Sequence, residues 1–249
     1  MSMRVFGLIG YPLSHSFSPG YFSDKFAREN INDASYQLFP LKAIESLPEL
    51  LLNKPTICGL NVTIPYKQQV IPFLSEIDDT AFKIGAVNTI KVEKRDSKIW
   101  LKGFNTDFNG VLESLKGAEH HKQALVLGNG GAAKAVIYAL EYLGISYKLV
   151  SRTPSAPLQI SYQEVTADLI KQSSLIINTT PLGMHPNINV CPPIPYEAIG
   201  PEHFVFDLIY NPEETLLLKK AKLKGAKTLN GLLMLHTQAE TAWQLWNKV

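Results

Sequence analysis

Four short stretches carry side chains that could act on a small polar molecule, and a fifth could hold a phosphate-bearing cofactor. The first ends in a lysine: Asn61-Val62-Thr63-Ile64-Pro65-Tyr66-Lys67. A lysine close to a reacting oxygen can both give and take a proton. By itself Lys67 reads as one more solvated charge, because most lysines are. The other three are His15-Ser16-Phe17-Ser18-Pro19, Gly85-Ala86-Val87-Asn88-Thr89-Ile90 and Gly103-Phe104-Asn105-Thr106-Asp107. Each follows or ends a stretch patterned as a strand, which is where an open α/β sheet places its ligand.

The fifth stretch, LVLGNGGAAKA, sets Gly128, Gly130 and Ala133 in a G-x-G-x-x-A pattern. Glycines alone can mean no more than a tight turn. Here they leave an apolar strand pattern and open a helix pattern, as a dinucleotide fingerprint requires. Gly128 permits the turn, Gly130 lets the backbone approach a pyrophosphate, and Ala133 lets helix and strand pack closely. Asn129, Gly131 and Ala132 complete the loop and first helical turn, whose N–H groups and dipole favour phosphate. The next strand pattern ends in Ser151-Arg152-Thr153, with no carboxylate to grip a ribose 2′-hydroxyl. Arg152 can pair with a 2′-phosphate through charge-assisted bonds. The sequence therefore favours NADP.

These groups need elements to hold them. Strand patterns run over 4–10, 34–39 and 57–63, and a hairpin is expected around Arg95 to Lys98. Ser18 reads as an N-cap with Pro19 at the first helical position of a helix reaching about Asn30. A second helix is expected over 42–52, and a third near Asp107. From Gln123 onward strands alternate with helices, which argues for a parallel βαβ sheet. Gly144 stops the helix after the fingerprint. Residues from Gly231 form one amphipathic helix. With 249 residues the chain can bury a sizeable core. Its net charge of +2, without a basic stripe, gives no footing for nucleic acid or a membrane surface. The N-terminal apolar run is too short for a leader or a span. Cys58 and Cys191 have no metal-type spacing, so a reduced, cytoplasmic protein without a metal is expected.

Taken in order, HSxSP, NVTxPxK, VNT and NTD before GNGGAA, then DLIYNP over 207–212 and Gln238, resemble the shikimate dehydrogenase family over nearly the whole chain. The resemblance implies two α/β domains: a substrate domain over 1–104, to which the helix 231–249 returns, and a Rossmann-type doubly wound NADP domain over 105–230. It implies reversible, NADP-dependent reduction of 3-dehydroshikimate to shikimate, in chorismate and aromatic amino acid biosynthesis. Ser16 and Ser18 match the serines that hold the substrate carboxylate, and Thr63, Asn88 and Gln238 match groups that bind its hydroxyls. Lys67 and Asp107 match the catalytic pair. Tyr210 matches a tyrosine near the carboxylate and the nicotinamide, where Gly231 leaves room; Asn178 and Thr179 should run along the cofactor with the Ser151–Thr153 turn. The expected partner is a small molecule, with no nucleic acid or membrane, for a monomer or homodimer. Phe17 departs from the family, where lysine is frequent, as do Asn129 and Ser151; the chain is also short for the family. A quinate/shikimate dehydrogenase and a non-catalytic dinucleotide sensor stay open as alternatives.

Overall fold

A computed structural model describes residues 3–13, 16–96 and 98–248. The chain divides into two compact units, Met1–Thr106 with Ala239–Val249, and Asp107–Gln238. The division falls two residues after the expected 104. It cuts the C-terminal helix at Gln238 rather than preceding it at Gly231.

The first unit runs β1 (Arg4–Gly10), α1 (Ser18–Arg28), β2 (Ala34–Pro40), α2 (Leu47–Asn53), β3 (Ile57–Val62), β4 (Glu76–Ile77), α3 (Asp79–Ile84), β5 (Thr89–Arg95) and β6 (Lys98–Phe104). Its sheet has the order β2-β1-β3-β5-β6-β4. β1 pairs in parallel with β2 and β3, whereas β5 is antiparallel to both β3 and β6. β1 is apolar throughout because both its faces are covered. Val5 and Ile9 join a core with Leu47, Leu60, Val62 and Ile90. Phe6, on the opposite face, joins Phe22, Phe26 and Trp246. The Trp246 indole donates to the Ile90 carbonyl at 3.0 Å, so this large side chain buries without orphaning its N–H.

Two local expectations are corrected here. Helix α1 begins at Ser18 itself; Phe17 holds the cap position, at φ −71° and ψ −34°, with no side-chain cap. The expected helix over 42–52 is a 3₁₀ turn at Ile44–Ser46 followed by α2, with Pro48 in its first turn. Proline is tolerated there because the N–H groups of that turn have no intrahelical partner.

The second unit runs α4 (Asp107–Ser114), β7 (Gln123–Leu127), α5 (Gly131–Tyr142), β8 (Ser146–Val150), β9 (Gln159–Ile160), α6 (Ala167–Gln172), β10 (Leu175–Asn178), β11 (Phe204–Asp207), α7 (Leu216–Leu223) and β12 (Lys227–Leu229). Helix α8 (Leu232–Asn247) starts here and ends in the first unit. The sheet order is β12-β11-β10-β7-β8-β9, and every pairing is parallel. Separate apolar clusters cover its two faces: Val126, Val136 and Leu140 on one, Leu125, Leu127 and Leu217 on the other. Strand order reverses at β7 and β10, so the crevice beyond their carboxyl ends is the topological switch point where such sheets take their ligand.

Candidate active site

In the first unit the expected site residues gather at strand ends. Ser16 is half-buried, and its N–H donates to the Leu13 carbonyl at 3.3 Å. His15 lies outside the described residues. Ser18 opens α1, and its hydroxyl bonds the Tyr36 phenol. A polar chain continues from there. The Tyr36 hydroxyl donates to Asn61 Oδ1 at 2.8 Å, and Asn61 Nδ2 donates to Thr89 Oγ1 at 3.2 Å. Thr89 in turn donates to Asn88 Oδ1 at 3.2 Å. The same oxygen accepts the Thr106 N–H at 2.7 Å, while Asn88 Nδ2 donates to Thr106 Oγ1 at 3.0 Å. Asn88, Thr89 and Thr106 are buried, and a buried amide held at both ends cannot flip. Ser18 and Asn88, far apart in sequence, are thus ends of one network. Burial pushes the Tyr36 phenol up, so it stays a neutral donor. Tyr36 was not expected as a member, and Asn61 was expected only as part of its stretch, without a role; the signal for Tyr36 was a polar tip at a strand position where apolar side chains are usual.

Thr63 and Lys67 lie on the turn after β3. Thr63 donates its N–H to the Ile9 carbonyl at 2.9 Å and accepts from Tyr66 at 2.9 Å. The buried Tyr66 anchors the turn by donating its hydroxyl to the Leu41 carbonyl at 2.7 Å. The Lys67 carbonyl accepts the Val87 N–H at 2.7 Å, next to Asn88, and its side chain is half-buried.

In the second unit the fingerprint leaves β7 as expected. Gly128 has φ +101°, and a Cβ there would lie 2.8 Å from Thr179 Oγ1 and from Thr180 Cγ2. Only glycine meets both conditions. Gly130, the cap residue of α5, faces open space within 4 Å, and no side chain caps that helix. A helix start with open approach and uncapped N–H groups suits a pyrophosphate. Gly131 and Ala132 form its first turn, Ala133 is buried beneath it, and Asn129 is exposed. Arg152 and Thr153 are exposed beyond β8, where the Thr153 N–H donates to the buried Ser151 Oγ at 3.3 Å. The glycine turn and the uncapped helix start therefore fit a dinucleotide.

Thr179 donates its hydroxyl to the Leu127 carbonyl at 2.8 Å, tying the loop after β10 to the fingerprint. Asn178 is fully buried, and its side chain faces inward: Nδ2 donates to Asp207 Oδ1 at 2.9 Å, and Oδ1 accepts from the Thr180 N–H at 3.0 Å. Tyr210 is half-buried on the loop after β11. At Gly231 a Cβ would overlap the Leu208 carbonyl, so the backbone itself demands glycine. Asp107, buried, opens α4, and Gln238, half-buried on α8, donates Nε2 to the Leu235 carbonyl at 3.0 Å. Among the described residues no group of three or more His, Cys, Asp or Glu side chains could hold a metal, and no helix is long and apolar enough to cross a membrane.

Burial pushes the Asp207 carboxyl up to about 6, against the hydrogen bonds from Thr215, Ile209 and Asn178 that pull it down. A carboxyl raised above its usual 3.8 holds its proton better folded than unfolded, so ionising it costs stability. That cost is fully present above about pH 6 and fades as pH falls towards 4. Asp207→Asn should therefore be at least as stable as the parent at pH 7.5, by up to roughly 3 kcal/mol, and lose this advantage at pH 4.5. Urea unfolding at both pH values checks it; an equal deficit at both would contradict it.

A family model described as shikimate dehydrogenase substrate binding domain matches residues 8–90. A shikimate dehydrogenase (NADP(+)) of Carboxydothermus hydrogenoformans is 40% identical over 99% of this chain and 92% of its own length. The crystal structure of shikimate dehydrogenase from Aquifex aeolicus superposes with a TM-score of 0.86 at 37% identity, over 98% of this chain and 92% of that one. A Thermus thermophilus shikimate 5-dehydrogenase, solved in complex with NADP(H) and shikimate, gives a TM-score of 0.85 at 32% identity, over 99% and 94%.

Proposed function

This chain belongs to the shikimate dehydrogenase family, and from that premise we propose that it is an NADP-dependent oxidoreductase that interconverts 3-dehydroshikimate and shikimate, on the route to chorismate and the aromatic amino acids. The observation that carries this reading is the similarity itself, which extends over 99% of the chain to an NADP(+) enzyme.

Substrate recognition falls chiefly to residues of the first unit, and cofactor binding to the second. Ser16 donates its hydroxyl to the substrate carboxylate, and Ser18 turns its single hydroxyl proton from the Tyr36 oxygen to the same group, at a helix end that also favours negative charge. Thr63, Asn88 and Gln238 take the ring hydroxyls. Asn88 Oδ1 accepts from Thr106 and Thr89 and its Nδ2 donates to Thr106 Oγ1, so the amide is held as a fixed donor beside the substrate hydroxyls. Leaving such a fixed donor unmatched is costly, which discriminates against analogues lacking that hydroxyl. NADP(H), when bound, supplies or accepts the hydride. The fingerprint residues Gly128–Ala132 hold its pyrophosphate, Asn178 and Thr179 border it, and Ser151–Thr153 close on its adenosine end. Tyr210 and Gly231 lie at the nicotinamide. Lys67 protonates the oxygen of the carbonyl as it is reduced and removes the hydroxyl proton in the reverse direction. Asp107 orients the ammonium. The protein acts on a small molecule as a cytoplasmic monomer or homodimer, without nucleic acid.

Reduced-nicotinamide absorbance, followed on mixing the purified protein with shikimate and NADP⁺, tests the reading beside parallel mixtures containing NAD⁺ or quinate. Turnover is expected with shikimate and NADP⁺. No turnover with any pair, in folded protein, would return the chain to a cofactor-sensing module. Arg152→Ala should raise KM for NADP⁺ roughly 10- to 100-fold, the value of a charge-assisted bond, and leave that for NAD⁺ unchanged. Equal losses for both would remove Arg152 from the 2′-phosphate.

A further inference from the structure

Asp207 is the most deeply placed ionisable group of the second unit, and the chemistry above assigns it no part. It is fully buried at the end of β11. Three donors converge on its carboxylate: Asn178 Nδ2 at 2.9 Å and the Ile209 N–H at 3.1 Å on Oδ1, and Thr215 Oγ1 at 2.6 Å on Oδ2. Each donor belongs to a different structural job. Asn178 Oδ1 accepts from both the N–H and the hydroxyl of Thr180, at 3.0 and 2.7 Å, so Asn178 shapes the loop after β10. The adjacent Thr179 bonds the Leu127 and Gly128 carbonyls at 2.8 and 3.2 Å, which carries that shape to the fingerprint turn. Ile209 precedes Tyr210, and its carbonyl accepts the Gly231 N–H at 3.0 Å, where α8 is about to begin. Thr215 caps α7, on the far side of Asp207 from these loops in the bonding scheme.

We propose that Asp207 is a positioning residue for the cofactor: one buried carboxylate that fixes the loop after β10, the loop bearing Tyr210 and the approach to Gly231 as a single frame. The proposal rests on the dinucleotide reading of this unit. Asparagine at 207 would keep an oxygen for Asn178 and Ile209, while its amide nitrogen faces a Thr215 hydroxyl able to turn and accept. Alanine would orphan all three donors. Thr215 serves as an internal control, because losing its arm loosens α7 and leaves the other two in place.

The test uses full-length enzyme and two readouts: NADP⁺ binding by calorimetry, and KM for NADP⁺ and for shikimate. Asp207→Ala and Asn178→Ala should each weaken NADP⁺ binding about tenfold and change the shikimate KM less than twofold. Asp207→Asn should restore binding to within about threefold of the parent. Thr215→Val should lower the melting temperature and leave NADP⁺ binding unchanged. If Asp207→Ala fails to fold, Asp207→Ser, which keeps one acceptor oxygen for the three donors, decides by the same NADP⁺ readout. Unchanged NADP⁺ binding in the alanine variants, or loss in Thr215→Val as large as in Asn178→Ala, would reduce Asp207 to a fold residue. Failure of the parent itself to bind NADP⁺ would instead overturn the cofactor reading.

Discussion

Lys67→Ala should lower kcat for shikimate oxidation by ~10²-fold or more with little change in KM, because a general acid–base group acts in the transition state rather than in ground-state binding. The structure makes this a clean experiment. The turn that carries Lys67 is held by its neighbours: Tyr66 is buried and bonded to the Leu41 carbonyl, and the Lys67 carbonyl is bonded to the Val87 N–H. These bonds are made by the Tyr66 side chain and the backbone, so they should survive truncation of the lysine. Lys67→Arg sharpens the result. Arginine keeps the positive charge but does not release its proton, so it should be nearly as impaired as alanine if the role is proton transfer. Near-parental turnover in Lys67→Ala would exclude the role outright, and activity retained only in Lys67→Arg would make it electrostatic.

Gly231→Ala carries the second large effect. In the family reading this glycine leaves space for a nicotinamide. The structure adds a reason internal to the second unit: a methyl there would overlap the Leu208 carbonyl. Backbone cannot step aside as a flexible side chain can, so the cost should reach the upper range of overpacking, about 3 kcal/mol. The contact also disturbs the Gly231 N–H bond to the Ile209 carbonyl and the first turn of α8, where the Gly231 carbonyl accepts from Leu235 at 2.9 Å. A fall in melting temperature of roughly 5–10 °C is expected, together with weaker NADP⁺ binding. Lost turnover at unchanged melting temperature would mean that only the ligand demands glycine here.

Features encoded over a few neighbouring residues were legible in the sequence. The continuous apolar runs of β1, β7 and β10, the glycine turn at 128 and the hairpin of β5 and β6 follow from local pattern and turn chemistry. Ser18 shows where that ends. Ser-Pro predicts a cap, but Phe17 already has helical dihedral angles, and the Ser18 hydroxyl turns to Tyr36 on strand β2. Cap geometry is set by where the chain enters the helix, which two residues do not specify. The short elements β4, β9, α6 and β12 gave no usable periodicity, since their form depends on the sheet they join. The candidate site divides in the same way. Its motif residues could be matched one by one, but the bonds that orient them could not. Asn61 meets Tyr36 across 25 positions, and Asp207 meets Asn178 across 29. Asp207 stood in plain view within DLIYNP, and nothing in that stretch marks it as the meeting point of three donors.

The path of α8 has a consequence for the order in which the protein is made. Residues from Ala239 onward belong to the first unit, yet a ribosome adds them only after the whole of the second. Until then Phe6, Phe22 and Phe26 lack Trp246, and the Gly59 surface lacks the indole that packs on it. Through all that time the earlier-made unit waits with an aromatic face uncovered. Nascent chains stalled before Ala239 should therefore be sticky, protease-sensitive at their N-terminal third and dependent on holding factors. Emergence of the segment from Ala239, rather than of the domain's first hundred residues, becomes the signal for that unit to close.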